Sequence, residues 1–470
     1  MMRRSFPNRR WTALAFAMIV FSGVGGATFG QGPKTAFSFD GVDDRVNCGN
    51  GTSLELAGPI TVELWVKTTQ AGDYKRMVGR NPQGNTSSYE FALHNLRPAV
   101  RLVGTTLADW MVADVTIPPG RWTHVAFTYD RSQVRIFING VPNGIAAVTG
   151  DINKNPGKTV YLGDIQGNPS RFAGQMDEVR IWGSARSQDE LRAGMCHHLA
   201  GTETGLAGYW RADEGVGLFA ADQTANHNDG TLVNGTAWVT SGAPVGDAST
   251  HVYPGGDLSL SHSDGDTLAV SAVTGSPAGV HIYRVDSAPD VTTPPGGYAE
   301  LDFMRYWGVF VAGGTSPTYA VAYNYLGHPH ISDENRLKLA KRADNAAASW
   351  SDSGAILDTS GNTLTAAGQT GTEYILGSSI AQFCNDILLF ARKNPGQTDI
   401  VLTWTQACDV GNTYAVYRSL DVQEVKRPPE IALVPIPTYT EPLPAGALVF
   451  YNILPQSTQF TLSFTGELDP

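Results

Sequence analysis

Charge is sparse in this chain: only 16% of its residues are Asp, Glu, Lys or Arg. Acids outnumber bases by 44 to 33, for a formal net charge of −11. Such a surface repels phosphate backbones and anionic headgroups, which argues against nucleic acid or an anionic membrane as partner. Cysteine is rarer still, with Cys48, Cys196, Cys384 and Cys408 making up the full set of four. After residue 30 no stretch approaches the ~18 uninterrupted apolar residues of a membrane-crossing helix. No long amphipathic helix stands out either, so the expectation is an all-β fold. Catalytic signatures are missing too. There is no G-x-S-x-G elbow, no Cys–His nucleophile pattern and no G-x-x-x-x-G-K phosphate loop. The ten histidines are scattered. His197-His198 and His328-x-His330 are the only close groups. Zinc usually needs more ligands at helix or finger spacing, so these read as ordinary loop histidines.

What is present points to many short strands. Glycine and proline are plentiful, 52 and 27 residues, as tight turns require. A hydrophobic content of 42% is that of a globular chain. The 470 residues suffice for about three domains at ~150 residues each. Residues 1–30 are expected to be a secretory signal peptide. Arg3, Arg4, Arg9 and Arg10 precede an apolar run from Ala13 to Val24, and Gly25-Gly26-Ala27 offers small residues for cleavage. Loss of that leader removes basic residues only, leaving a more acidic remainder suited to an extracytoplasmic location and to cation binding. An even cysteine count behind such a leader suggests disulfides, with three connectivities open.

The stretch Trp122–Gly144, WTHVAFTYDRSQVRIFINGVPNG, carries the clearest local signal. Thr123, Val125, Phe127 and Tyr129 alternate with Trp122, His124, Ala126 and Thr128, the period of a strand. Asp130-Arg131-Ser132-Gln133 reads as a turn. Val134, Ile136 and Ile138 then share one face of a second strand. Asn139-Gly140 supplies two residues that tolerate positive φ, as a type I′ hairpin turn requires. The result is an antiparallel meander, expected at the centre of a jelly roll with one covered face and one wet face.

Five blocks in order, FDGVDDRVNCG, ITVELWVK, WTHVAFTYD, RIFINGVPNG and GQMDEVRIWGSARSQDEL, resemble a laminin-G-like jelly roll of the concanavalin-A-like superfamily. The resemblance covers roughly the first half of the chain behind the leader. One departure is the block GYWRADEGVG, which in that family often precedes the FDG motif and here follows the last jelly-roll strand. A single domain over 33–245 is preferred to a truncated second repeat beginning near Leu206. A small, polar linker, Thr240–Thr250, leads to an expected β-sandwich accessory domain over 251–380. Residues 381–470, with strand-like runs around Trp404, Tyr414–Tyr417 and Tyr451, resemble a fibronectin type III domain. The fold class is therefore all-β: a jelly-roll sandwich followed by two smaller β-sandwich domains.

The resemblance carries further expectations. A structural Ca²⁺ is common near the FDG and MDEVRIW motifs of the family, which makes Asp40 and Asp177 the candidate ligands. Asp177 shares a strand face with Val179 and Ile181. A carboxylate there needs a partner, which could equally be backbone N–H groups, Arg180 or Arg45. The two ends of a jelly roll lie together, so Cys48 is expected to pair with Cys196, closing a long loop and stabilising the domain by ~4–5 kcal/mol. Cys384 and Cys408 would then clip the third domain.

The superfamily resemblance implies secreted, non-catalytic binding or adhesion, with a glycan or other extracellular polymer as partner. Glucanases of the superfamily use paired carboxylates on one strand face in an E-x-D-x-E-like pattern. The nearest stretch here, MDEV, puts neighbouring acids on opposite faces, so a glycoside hydrolase is the least favoured reading. Sugar-stacking candidates are Trp110, in the loop-like TTLADWMVAD, and Tyr74 and Tyr89, which flank the polar stretch Gln70–Ser88. Trp110 packed beneath a loop is the competing reading. Trp65 and Trp182 sit in strand patterns and read as core. The alternative function is a structural module making protein–protein contacts at the cell surface.

Overall fold

The computed structural model describes residues 34–80, 87–164 and 170–380, and beyond them the backbone of six strands between Leu389 and Pro455. The expected signal peptide and the Cys384–Cys408 pair lie outside the described residues.

The first unit consists of strands β1 (Thr35–Asp40), β2 (Arg45–Asn47), β3 (Ile60–Lys67), β4 (Lys75–Arg80), β5 (Tyr89–His94), β6 (Arg97–Leu102), β7 (Met111–Val112) and β8 (Thr123–Tyr129). It continues through β9 (Gln133–Ile138), β10 (Val141–Ala147), β11 (Val160–Leu162), β12 (Ala173–Trp182), helix α1 (Gln188–Met195), β13 (Leu206–Trp210), β14 (Phe219–Ala220), β15 (Gly230–Val233) and β16 (Ala237–Thr240). These strands form two eight-stranded antiparallel sheets, a jelly-roll sandwich. The first sheet runs β10-β9-β8-β3-β12-β1-β16, with β13 paired to β12. The second runs β14-β15-β2-β11-β4-β5-β6-β7. The segment from β13 to β16 thus adds strands to both sheets of one sandwich.

Alternation decides what fills the space between the sheets. Val62, Leu64 and Val66 of β3 and Val125, Phe127 and Tyr129 of β8 meet Phe91, Leu93, Val100 and Leu102 of the second sheet in one buried core. Asn139 and Gly140 have φ values of 48° and 69°, as the hairpin between β9 and β10 requires. The meander is at an edge of the first sheet, not its centre: β3 and β12 hold the middle and β10 is the outer strand.

The outward face of β8 is not wet. Trp122, His124, Ala126 and Thr128 are all buried. Helix α1, started by a reciprocal capping box between Ser187 and Glu190, lays Leu191 over Ala126 and Phe137. The rest is covered by the middle unit, a seven-stranded and a five-stranded sheet formed from residues between Ala248 and Ser378. Trp65, facing outward from β3, packs in a cluster with Met195, Tyr283, Val285 and Ile375. Trp65 is buried as expected, but its place is this junction and not the space between the sheets. Tyr253 donates to the Asn139 carbonyl at 2.8 Å and Asn345 donates to the Ser241 carbonyl at 3.2 Å, tying the two units together.

The expected Cys48–Cys196 bridge does not form: both are buried free thiols. Cys48 follows β2 and lies in the core between the sheets, whereas Cys196 caps α1 in the junction cluster on the far side of the first sheet. The chain termini of a jelly roll do meet, as the β1–β16 pairing shows, but these two side chains leave their elements into different layers. Burial pushes both thiols up from their ordinary value.

Among the remaining strands, Leu389–Lys393, Asp399–Trp404 and Thr438–Pro442 make one three-stranded antiparallel sheet. Glu430–Val434, Tyr414–Ser419 and Phe450–Pro455 make another.

Candidate ligand-binding face

With the outward face of the first sheet covered by the middle unit, the outward face of the second is the other broad side of the jelly roll. Its centre is closed over by side chains, with Arg76, Glu90, Ala92 and Ala99 all buried. The strand period assigns its residues. In β5, Tyr89, Phe91 and Leu93 go inward to the core, so Glu90, Ala92 and His94 go outward. Register then places Arg101 beside Glu90, Ala99 and Arg76 beside Ala92, and Arg97 beside His94.

Two of the three aromatic candidates come together on this face. The ring of Tyr74 lies on that of Trp110, with centroids 4.6 Å apart and planes 23° from parallel. His94 continues the row, 4.7 Å from Tyr74. The guanidinium of Arg76 sits 5.0 Å over the Trp110 ring and donates to the Tyr74 carbonyl at 2.9 Å, linking the two ends of the stack. Both rings are half-buried. Each therefore keeps an exposed portion while its position is fixed, which a stacking surface for a ligand requires. Tyr74 holds a left-handed φ of 45° just before β4, which turns its side chain off the strand's ordinary alternation.

The third candidate fails. Tyr89 is fully buried between the sheets and donates to the Leu54 carbonyl at 3.2 Å. Its phenol is pushed up by burial. The alternation YEFALH contains this answer, since Tyr89 keeps step with Phe91 and Leu93.

Sequence reasoning missed the charged part of the face. Glu90 is held between Arg76, at 3.0 Å, and Arg101, at 3.4 Å. Asp164 lies between Arg45, at 3.7 Å, and Arg171, at 3.8 Å. Arg45 also reaches over the Tyr161 ring. The two groups are joined by a parallel bridge between Arg76 and Arg171. Only the alternation of β5 and β6 hinted at the Glu90–Arg101 pair; Asp164 and Arg171 are brought to Arg45 by loops.

The acidic candidates separate. Asp40 ends β1 opposite Ala173, whereas Met176, one residue before Asp177, pairs with Phe37. Asp40 and Asp177 are thus about four residues apart along the sheet, roughly 13 Å. Asp40 instead groups with Asp43 and Asp44, whose carboxylate oxygens lie within 4.8 Å of one another. Asp44 accepts from the Asp40 backbone N–H at 2.8 Å, while its other oxygen, Oδ1, is buried without a hydrogen-bond partner. Burial raises the Asp44 carboxyl from its ordinary value. Three carboxylates with one orphaned buried oxygen are a donor set that a hard cation such as Ca²⁺ fits.

Asp177 is fully buried and satisfied within the chain. It accepts from the Ser241 hydroxyl at 2.5 Å and the Glu178 N–H at 2.8 Å, and burial together with neighbouring Glu178 raises its carboxyl strongly. Glu178, at a bulge in β12 with φ 53°, behaves oppositely. Burial opposes its charge, but His198 and Arg180 more than offset this and hold the carboxyl low. His198, Arg180 and Tyr209 engage its two oxygens. This network is sealed from solvent and belongs to the junction.

The two antiparallel sheets in this order form a jelly-roll sandwich. Residues 40–192 match a laminin G model of the concanavalin A-like lectin/glucanases superfamily. No curated protein matches the chain. Among solved structures, a candidate carbohydrate binding protein from Bacteroides ovatus is 21% identical with a TM-score of 0.36, covering 46% of this chain and 62% of its own. The chain therefore spans less than two thirds of that protein. Domain 4 of a Geobacillus stearothermophilus arabinanase, solved with arabinotriose, is 22% identical, with a TM-score of 0.26 and coverage of 33% and 74%. A sialidase module from Ruminococcus gnavus, bound to sialyllactose, is 16% identical, with a TM-score of 0.28 and coverage of 34% and 95%.

Proposed function

We propose that this is an extracytoplasmic, non-catalytic glycan-binding protein that holds polymer on the outward face of its second jelly-roll sheet. The observation that carries the reading is the Tyr74–Trp110 stack, two half-buried rings on the outward side of the second jelly-roll sheet. Flat aromatic surface covers the C–H faces of sugars, and an open sheet suits a chain passing across it better than a small molecule enclosed in a pocket. The superfamily match supports the same reading. The acids Asp177 and Glu178 are locked in the buried junction network, where neither can meet a leaving-group oxygen. Among the described residues no helix is long and apolar enough to cross a membrane.

Calcium forms part of the proposal, with Asp40, Asp43 and Asp44 as ligands and Asp177 withdrawn from the set. Its chemistry there would be structural, fixing the loop before Arg45. The paired order of the six C-terminal strands supports a fibronectin-type-III-like end unit.

The test is retention of the full chain on immobilised polysaccharides, followed by reducing-end analysis. Retention without release of reducing ends is expected, and release would overturn the non-catalytic reading. A second reading, a module for protein contacts, is favoured by exposed Val216, Leu218 and Phe219 at the β14 edge. Retention on no polysaccharide would transfer the function to that edge.

A further inference from the structure

The outward side of the second sheet is rich in arginine although the chain is acidic, and this selects among glycans. It carries two arginine–carboxylate–arginine triads, Arg45–Asp164–Arg171 and Arg76–Glu90–Arg101. In each, one carboxylate serves two guanidinium groups, so each triad keeps an uncompensated positive charge. The segments that join Arg80 to Ser87 and Asp164 to Ser170 contain no charged residue. The acids nearest in sequence are Asp73 and Asp109, which directly precede Tyr74 and Trp110 and are exposed, and the Asp40–Asp43–Asp44 group in the loop before Arg45. The two carboxylates inside the face are almost completely buried, at 2% and 4% of side-chain exposure. Arg45, Arg101 and Arg171 retain 19%, 22% and 34%. The acids are thus more deeply buried than the arginines they pair with, and each guanidinium carries more donors than one shared carboxylate can engage.

We infer that the ligand is an acidic polysaccharide, one bearing carboxylate or sulfate groups at intervals, with Arg45, Arg101 and Arg171 receiving the acid groups and Tyr74 and Trp110 receiving a sugar face. This rests on the glycan reading given above. Planar guanidinium groups match both carboxylate and sulfate in bidentate fashion, which ammonium groups do not. The spacing argues for a chain and not a single sugar. From β2, which carries Arg45, to β6, which carries Arg101, the sheet order crosses four strand intervals, or roughly 19 Å at ~4.8 Å per strand. Neutral glycan would leave three outward guanidinium groups without partners from the ligand and would lose the water they now hold, a cost that disfavours it.

The experiment measures binding of the full chain to three probes, polygalacturonate, dextran sulfate and unmodified dextran, at low and high salt. Wild type should bind polygalacturonate, dextran sulfate or both, more weakly at high salt, and dextran at least about tenfold less. Binding to polygalacturonate alone assigns carboxylate; binding to dextran sulfate alone assigns sulfate. The double variant Arg101→Gln/Arg171→Gln should lose affinity for the acidic probe by about tenfold or more, with an unchanged melting temperature as the check on folding. Trp110→Ala should weaken binding at both salt levels alike. Dextran bound as tightly as the acidic probes, with the double arginine variant unaffected, would overturn the inference while leaving the glycan reading intact. No binding to any polysaccharide would overturn the glycan reading itself. Binding of a single-stranded polynucleotide in preference to both acidic polysaccharides would overturn the inference in favour of a phosphate polymer.

Discussion

Trp65 of the jelly roll meets Phe310 of the middle unit edge to face, with ring centroids 5.1 Å apart and planes at 89°. The indole N–H donates to the Met195 carbonyl at 2.6 Å, which fixes the ring against the end of α1. This contact helps close the outward face of the first sheet against the middle unit.

Shortening Phe310 to alanine should loosen the junction. Phe310 is half-buried, so a loss of about 2 kcal/mol is expected, below the range for a fully buried phenylalanine. Thermal unfolding should change from a shared transition to separate ones for the two units. A single, unshifted transition in Phe310→Ala would show that the units do not stabilise one another.

Tyr74 and Tyr89 should respond in opposite ways. Tyr74→Ala removes a half-buried ring whose stacking contributes about 0.5–1.5 kcal/mol, so the fold should survive while polysaccharide retention is lost. Tyr89→Phe removes the hydrogen bond to Leu54, costing about 1 kcal/mol of stability, and should leave retention unchanged. Calorimetry and a binding isotherm on both variants separate the two roles.

Calcium should raise the melting temperature of the full chain if the Asp40–Asp43–Asp44 group binds it, because the ion would bind the folded state alone. Asp44→Asn should abolish the rise, whereas Asp177→Asn should leave it in place. Identical melting curves in EDTA and in excess Ca²⁺ would remove the cation from the account.

The junction should weaken in mild acid. His281 is buried and stacks on His251 at 5.2 Å, with the Tyr253 hydroxyl 2.9 Å from its Nε2. Burial drives it well below the ordinary value of 6.5, and His251, His124 and Arg192 push in the same direction. The unfolded chain therefore takes up a proton near pH 6.5 that the folded protein refuses. Stability from this group is intact above that pH and is lost as pH falls through it, with a slope approaching about 1.4 kcal/mol per pH unit. Compared with wild type, His281→Gln should have a flatter stability curve between about pH 7 and 5. Parallel curves would exclude His281 as the cause.

Cys48 and Cys196 should both react with a thiol reagent only after unfolding, as buried, unactivated thiols do. Non-reducing peptide mapping that joined them would contradict the layer assignment of the two side chains.

Local chemistry determined much of this protein in advance. Alternation over Trp122–Tyr129 set a strand and its inward face, because side chains on successive residues must point to opposite sides. Asn139-Gly140 set the hairpin, because few other pairs accept two positive φ values. The motifs around Asp40 and Asp177 resemble those of a concanavalin-A-like sandwich, and residues 40–192 match that superfamily's model. Even the inward fate of Tyr89 was present in the period of YEFALH. What the sequence could not settle depends on which strand lies beside which and on what covers each sheet. Cys48 and Cys196 parted because their elements belong to different layers, a consequence of sheet order and not of spacing. Asp40 and Asp177 parted because antiparallel register set them several residues apart. Trp110 reached Tyr74, and Arg171 reached Asp164, through loops whose ends the sheet positions. The outward faces of β8 and β5 look alike in sequence. Only the packing of a second unit, anchored where Phe310 meets Trp65, makes the first of them a junction between units.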